Sequence, residues 1–386
     1  MVIGNGVVGL SIAIEAVRRF PAARISLIGP DSRPHAATPA SAAMLTAISE
    51  IMPGTDHGPE SAWFRLVRNS VTTWPSWLDD VTAAAGLPQG SVPAITRGLM
   101  VIGEEKDEAF DEIERAARRI DAPHRRIEHR ETPAFDIRTP GPDQRLLLLE
   151  DEGSIDPRTL LVHLDAVASR LGVTSIDSAI LELEPGLLRF TDHTTMTAGR
   201  IVLACGAGCE RLLPDRAELT SLVPGIRFGI GVGLRCRVRT GLRFPRIPVR
   251  KPNHAQGSGT YCIPHGPTDF YIGATTEVAA DRRFEAHQHE IETLRSRARE
   301  LLGSDLEGEE FKPVIGHRPV STDGFPVLGP IGEGLFIASG TNRDGISAAP
   351  GIAGLITRAI DGEVESIPDR MRASVRRGVG RPDPIC

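Results

Sequence analysis

Apolar and polar positions change rhythm several times along the chain, and the changes divide it. Residues 1–3 are a short apolar run, a glycine turn follows, and residues 10–20 repeat apolar positions with a helical period. Residues 24–28 read as a second buried strand. A polar loop over 30–39 leads into the small-residue segment Ala40-Ser41-Ala42-Ala43-Met44-Leu45, and a long helix is predicted over 61–85. From 88 to 149 the texture changes to a strand at 98–103, a charged amphipathic helix at 105–120 and an apolar strand at 146–149. The first rhythm then returns, with a helix over 158–171, a strand at 173–176 and a strand-turn over 201–208.

Residues 227–276 alternate, with Val232, Leu234, Cys236 and Val238 on one face, as an antiparallel sheet with one exposed side requires. A charged helix is predicted over 287–302, turns beyond it, a strand at 335–338 and a last helix over 345–360. The Arg- and Pro-rich stretch 366–386 is expected to be partly disordered. The interleaving predicts an α/β dinucleotide fold (1–87, 150–222 and 313–365) interrupted by an α+β antiparallel-sheet substrate domain (88–149 and 223–312).

With 386 residues the chain is long enough for two cores, and its 40% apolar content suits a globular protein. Fifty acidic against 44 basic side chains give a net charge of −6 without long runs of either sign, and the aromatics are few. Neither feature suits nucleic acid or an anionic membrane as partner. No apolar stretch has the length of a spanning helix, and no signal peptide is read, so a cytoplasmic setting is expected. The five cysteines are odd in number and form no CxxC pair, which reads as free thiols in a reducing compartment and no metal site. An oligomeric state is not read from the sequence, and a homo-oligomer stays open.

The turn Gly4-Asn5-Gly6-Val7-Val8-Gly9 follows a strand and opens a helix, the setting of a dinucleotide-binding fingerprint. Gly4 permits the turn, Gly6 lets backbone approach a pyrophosphate, and Gly9 allows close helix–strand packing. One element of the pattern is missing. Where an acid for a ribose hydroxyl is expected stands Gly29, with Asp31 or Ser32 the candidates to replace it. The missing acid with Arg33 nearby also fits a 2′-phosphate, and hence an NADP-dependent reductase. A second close approach to the cofactor is expected where the apolar run 200–205 ends at Gly206 and Gly208.

Taken with the segments Gly153-Ser154-Ile155-Asp156-Pro157, Tyr261-Cys262-Ile263-Pro264, Gly273-Ala274-Thr275-Thr276-Glu277, Gly316-His317-Arg318-Pro319 with its Asp323-Gly324-Phe325-Pro326 continuation, and Gly340-Thr341-Asn342-Arg343-Asp344-Gly345-Ile346, the chain resembles the D-amino acid oxidase family of flavoenzymes, its glycine oxidase and sarcosine oxidase branches most closely. The resemblance spans almost the whole chain.

It implies non-covalent FAD, since the 340–345 loop has no Cys or His to attach it. Gly4, Gly6, Val7 and Gly9 would hold the pyrophosphate, Thr38, Ser41, Ala42 and Met44 would run beside the flavin, and Ile180 would meet the adenine. Gly340, Arg343, Asp344, Gly345 and Ile346 would flank the flavin pyrimidine, where a helix start at 345–346 would favour the negative charge of the reduced ring. Arg318 would clamp a substrate carboxylate, its planar fork matching two oxygens, and Tyr261, one of only two tyrosines, would donate to the same group. His265 stands where relatives carry Arg and receives no role. The implied reaction is oxidation of a small amine or amino acid at its C–N bond by hydride transfer to flavin N5. The imine then hydrolyses, and O2 is the expected acceptor. A tailoring enzyme that keeps FAD but acts on an unusual or carrier-bound intermediate is the rival within the same fold.

Overall fold

The computed structural model describes residues 1–375 apart from 138–140, 185, 214–222, 239–242, 255–258, 304–305 and 307. Two large sheets carry the fold, and their strands alternate along the chain. The first sheet has strands β1 (Val2–Ile3), β2 (Ser26–Ile28), β7 (Thr174–Ile176), β11 (Ile201–Leu203), β18 (Val327–Gly332) and β19 (Leu335–Ser339). Its order is β18-β19-β11-β1-β2-β7, parallel except for the β18–β19 hairpin. The second contains β3 (Met44–Leu45), β4 (Ile95–Glu104), β5 (His124–Arg126), β6 (Gln144–Ile155), β12 (Ile226–Arg237), β13 (Val249–Arg250), β14 (Tyr261–Pro264), β15 (Asp269–Gly273), β16 (Glu277–Ala279) and β17 (Glu310–Ser321). A small antiparallel sheet of β8 (Ile180–Glu184), β9 (Leu187–Phe190) and β10 (Thr195–Thr197) completes the set.

The helix Val7–Arg19 is buried on most sides, at Val7, Leu10, Ile12, Ala13 and Ile14, because it lies between the parallel sheet and the last helix, Ala349–Ile360. Arg18 and Arg19 in its final turn oppose the helix dipole. On the sheet's other face, Ile3, Ile28, Ile201 and Leu203 pack with Ile180, Leu183, Leu188 and Phe190 of the small sheet. The antiparallel sheet buries Val232, Leu234, Cys236 and Ile272 against Leu294, Ala298 and Leu301 of the helix Gln288–Leu302. The predicted α/β sheet interleaved with an antiparallel one is therefore the observed architecture. Among the described residues no helix is long and apolar enough to cross a membrane.

Three local expectations change. Residues 310–321, read as turns, are a twelve-residue strand. Its Pro313 and Pro319 are tolerated because β17 lies outside β12, paired with it along its length, at an edge where missing donors cost little. The last helix starts at Ala349 rather than 345. Of the tail, residues 366–375 pack against the body, with Ile367, Met371 and Ala373 fully buried and the Leu328 N–H donating to the Met371 carbonyl at 2.8 Å. Residues 376–386 lie outside the described residues.

The long helix Ala62–Ala84 fixes the loop before the last helix through its indoles. Trp74 Nε1 donates to the Ile346 and Ser347 carbonyls at 3.0 and 3.2 Å, and Trp63 Nε1 donates to Asp344 Oδ2 at 3.2 Å. Desolvation pushes the Asp344 carboxyl up to about 7, and the Glu50 charge adds to the effect. A carboxyl that holds its proton in the folded chain but not in the unfolded one favours folding at acid pH, and the advantage is lost as pH rises through the folded value. Asp344→Asn should therefore flatten the decline in melting temperature between about pH 4 and pH 7, read by thermal unfolding across that range. An unchanged slope would show that this carboxyl ionises normally.

Candidate active site

A cavity of about 390 Å³ runs from the fingerprint turn to the antiparallel sheet. At one end the chain crosses itself closely. Gly4 has φ +114°, and a Cβ there would lie 2.3 Å from the Ala204 carbonyl oxygen; a Cβ on Gly9 would lie 1.7 Å from that of Gly4. These two residues must be glycine for packing. At Gly6 a Cβ would meet only Thr38 Oγ1, at 3.3 Å, so the bare position opens on the cavity. The helix that starts there has no side-chain cap and no acid in its first turn, and the Val7 N–H donates to Thr38 Oγ1 at 3.3 Å. Uncapped N–H groups at a positive helix end suit a phosphate.

Gly4, Gly6, Val7, Thr38, Ile180 and Gly206 line this arm, Gly206 in a left-handed conformation at φ +60°. Gly9 lies behind the wall. Asp31 also lies outside it, exposed, with its N–H donating to Asp177 at 3.0 Å. Arg33, the residue that would favour a 2′-phosphate, is held by Asp165 at 2.5 Å and by the Asn5 carbonyl at 2.8 Å. The donor set and the bare Gly6 fit a dinucleotide such as FAD.

Beyond the turn, Ser41, Ala42 and Met44 line the cavity together with Arg343, Gly345 and Ile346. The helical start expected at 345–346 is a single turn closed by the Ala348 N–H on the Asp344 carbonyl at 2.8 Å. It leaves the Gly345 and Ile346 amides ahead of any i−4 acceptor, so the turn still offers donors to the cavity. Ser347 ties it to the opposite wall, accepting from the Thr46 N–H and donating to the Met44 carbonyl, both at 3.1 Å. Gly340 and Asp344 stay outside the wall, Asp344 turned to Trp63.

At the far end three glycines make room for three large side chains of the cavity wall. A Cβ on Gly231 would lie 2.5 Å from Arg318 Nη2, on Gly233 1.9 Å from Tyr271 Oη, and on Gly273 2.4 Å from the Tyr261 ring. The two tyrosine rings stack with centroids 6.3 Å apart. Burial raises both phenols, so both remain protonated at neutral pH. Tyr271 donates to the Ala40 carbonyl at 3.0 Å, whereas the Tyr261 hydroxyl has no hydrogen-bond partner among the described residues. Arg318 Nη1 donates to Thr276 Oγ1 at 3.0 Å, and among the described residues no carboxylate pairs with its guanidinium.

Beside them lies a buried charged group that the sequence did not mark. Glu50 is ion-paired with the buried Arg250, lies 3.6 Å from Arg343, and accepts from Asn253 at 2.9 Å. Burial opposes its charge, yet Arg250 and Arg343 hold it down to about 2. The segment that presents it is itself held by buried Glu152, which accepts from the Ala47, Ile48 and Ser49 N–H groups at 2.6, 2.5 and 3.2 Å. Partners 200 residues apart leave no local pattern, so Glu50 and Arg250 were invisible as a pair. The alternate glycines 229, 231 and 233, costly in a strand unless something large passes over them, were the signal available for Tyr271. His265 is a satisfied core residue, its Nε2 2.9 Å from the Ala42 carbonyl oxygen, and lies outside the cavity wall.

Among curated proteins, the bifunctional protein ThiO/ThiG of Trichormus variabilis is 28% identical over 369 residues, covering 92% of this chain and 51% of that protein. The chain thus spans about half the length of the full-length relatives it matches. The glycine oxidase of Pseudomonas putida is 34% identical over 141 residues, 32% of this chain and 37% of that one. Two solved structures share the fold. The iminodiacetate oxidase IdaA from Chelativorans sp. BNC1 has a TM-score of 0.79 at 21% identity, covering 96% of this chain and 98% of that one. The glycine oxidase from Geobacillus kaustophilus has a TM-score of 0.76 at 23% identity, covering 94% of each. The family model for FAD dependent oxidoreductases matches residues 1–359, and the chain belongs to that family.

Proposed function

We propose that the protein oxidises the C–N bond of a small amine that carries a carboxylate, an amino acid or a close relative of one. The observation that carries this reading is the pair at the sheet end of the cavity. Among the described residues the guanidinium has no carboxylate counter-ion and the phenol no acceptor; both meet the cavity, and an anionic substrate group would satisfy them together. Gly4, Gly6 and Val7 would hold the FAD phosphates, joined by Thr38, which was expected beside the flavin but meets the Val7 N–H; Ser41, Ala42, Met44, Gly345 and Ile346 would flank its ring. FAD, when bound, supplies the two-electron acceptor for the C–H bond beside nitrogen.

The chain's own share is positioning and field. Arg318 fixes the carboxylate by two parallel bonds, and Tyr261 donates from the side, so the reacting C–H points one way. Arg250, Arg343 and Glu50 form a fixed charged wall whose net sign disfavours an ammonium and so favours the neutral amine. The Gly345 and Ile346 amides meet negative charge on the far side. Names of relatives, glycine oxidase and iminodiacetate oxidase, agree with a small carboxylate-bearing amine and with O2 as final acceptor. The four described cysteines are free, which supports a reducing, cytoplasmic setting.

Gly6→Val should fold with a melting temperature near that of the cofactor-free wild type yet retain no flavin, because its side chain fills the bare position rather than clashing with backbone. The wild type should be yellow and release FAD on acid precipitation. A yellow Gly6→Val variant would move the phosphate site elsewhere.

Arg318→Lys keeps the charge and loses the fork, so kcat/KM should fall about ten- to a hundredfold with flavin content unchanged. Benzoate should perturb the wild-type flavin spectrum and not the variant's. Lost flavin with unchanged turnover per flavin would make Arg318 structural.

A further inference from the structure

The turn after β11 contains a feature the oxidation chemistry does not use. Cys205 and Cys209 bracket Gly206-Ala207-Gly208, and their sulfurs are 3.4 Å apart, joined by an S–H···S contact. Cys205 is half-buried and is one of the residues of the cavity wall, while Cys209 is fully buried. The donated hydrogen bond from Cys205 favours the Cys209 thiolate against its burial. The same contact, with burial, pushes the Cys205 thiol up. The reactive form is therefore the minor one, in which the shared proton has passed to Cys209 and the charge sits on Cys205, the cysteine of the cavity wall.

We propose that Cys205 and Cys209 are a reversible oxidation site whose reactivity is gated by cofactor occupancy, an inference that rests on the reading of this cavity as the FAD site. With FAD seated against Gly206 the Cys205 sulfur is covered; with the cavity empty a small peroxide reaches it. The Cys205 thiolate attacks hydrogen peroxide, the O–O bond breaks, one oxygen leaves as hydroxide and is protonated to water, and the other remains as a sulfenic acid. Cys209 then attacks that sulfur, the S–S bond forms, and the second oxygen leaves as water. Two thiols give up two electrons and two protons, and one peroxide becomes two waters. Forming the bond draws the sulfurs together from 3.4 Å to roughly 2 Å. The three residues between them, all part of the cavity wall, take up that movement, so the disulfide weakens FAD binding.

The test treats FAD-loaded protein and reduced apoprotein with hydrogen peroxide. The peptide carrying both cysteines is then followed by mass, and FAD reloading by quenching of its fluorescence. The apoprotein should lose the mass of two hydrogens in that peptide and regain it with dithiothreitol. Free FAD at a hundredfold its Kd should slow the change about a hundredfold. The oxidised apoprotein should bind FAD at least about tenfold more weakly, a coupling of ordinary size. Cys209→Ser should stop at a sulfenic acid that dimedone traps on Cys205. Apoprotein in which no disulfide forms, loaded protein that oxidises as fast as apoprotein, or oxidised protein with unchanged FAD affinity would each overturn the proposal while leaving the FAD site intact. Reduced protein that takes up no FAD would overturn the site and the proposal together.

Discussion

The structure depends on one close crossing of backbone. The turn after β1, the start of the first helix and the end of β11 meet with no space for a side chain, as the 1.7 Å and 2.3 Å approaches of imagined Cβ atoms show. Hydrogen bonds fix the same crossing, Gly4 N–H to the Ile28 carbonyl and Ala204 N–H to the Ile3 carbonyl, both at 2.7 Å. Strand, helix and neighbouring strand are thereby held in one relation, with the start of the helix at the cavity wall. Gly6 differs from its two neighbours in the motif. Nothing in the fold requires it to be bare, whereas Gly4 and Gly9 have no room for a side chain.

The same device recurs at the other end of the cavity. Strand glycines, which weaken a sheet, let Arg318, Tyr261 and Tyr271 lie across it. What results is a guanidinium and a phenol held on strands rather than on loops. Between the two ends, the indoles of the long helix and Ser347 fix the 344–347 turn at the cavity wall.

Much of this was legible in the sequence, for physical reasons. The fingerprint is local, since turn, phosphate approach and helix packing fall within six residues and each demands glycine. The alternation of β12 and the helical periods of the long helices were equally local. What could not be read was set by distant partners. Residues 310–321 fell among the turns expected beyond the charged helix, and it is their pairing with β12 at a sheet edge, where Pro313 and Pro319 are tolerated, that makes them a strand. Residues 366–375 looked disordered because their Arg and Pro content hides the contacts of Ile367 and Met371. Asp31 was a reasonable stand-in for the missing ribose acid by sequence distance, but it faces solvent. Asp344 sits within a cofactor-like motif yet serves Trp63, and the Glu50–Arg250 pair joins residues that no local pattern connects.

The central claim is that this cavity joins a flavin to a carboxylate-bearing amine. The most direct measurement is anaerobic mixing of the yellow protein with a panel of small amino acids and N-alkylglycines, each beside the same amine lacking its carboxyl group, while visible absorbance is followed. The expected result is rapid bleaching by at least one carboxylate-bearing amine and none by its partner without the carboxylate. Bleaching that is equal with and without the carboxylate, or absent with every amine despite full flavin content, would contradict the account.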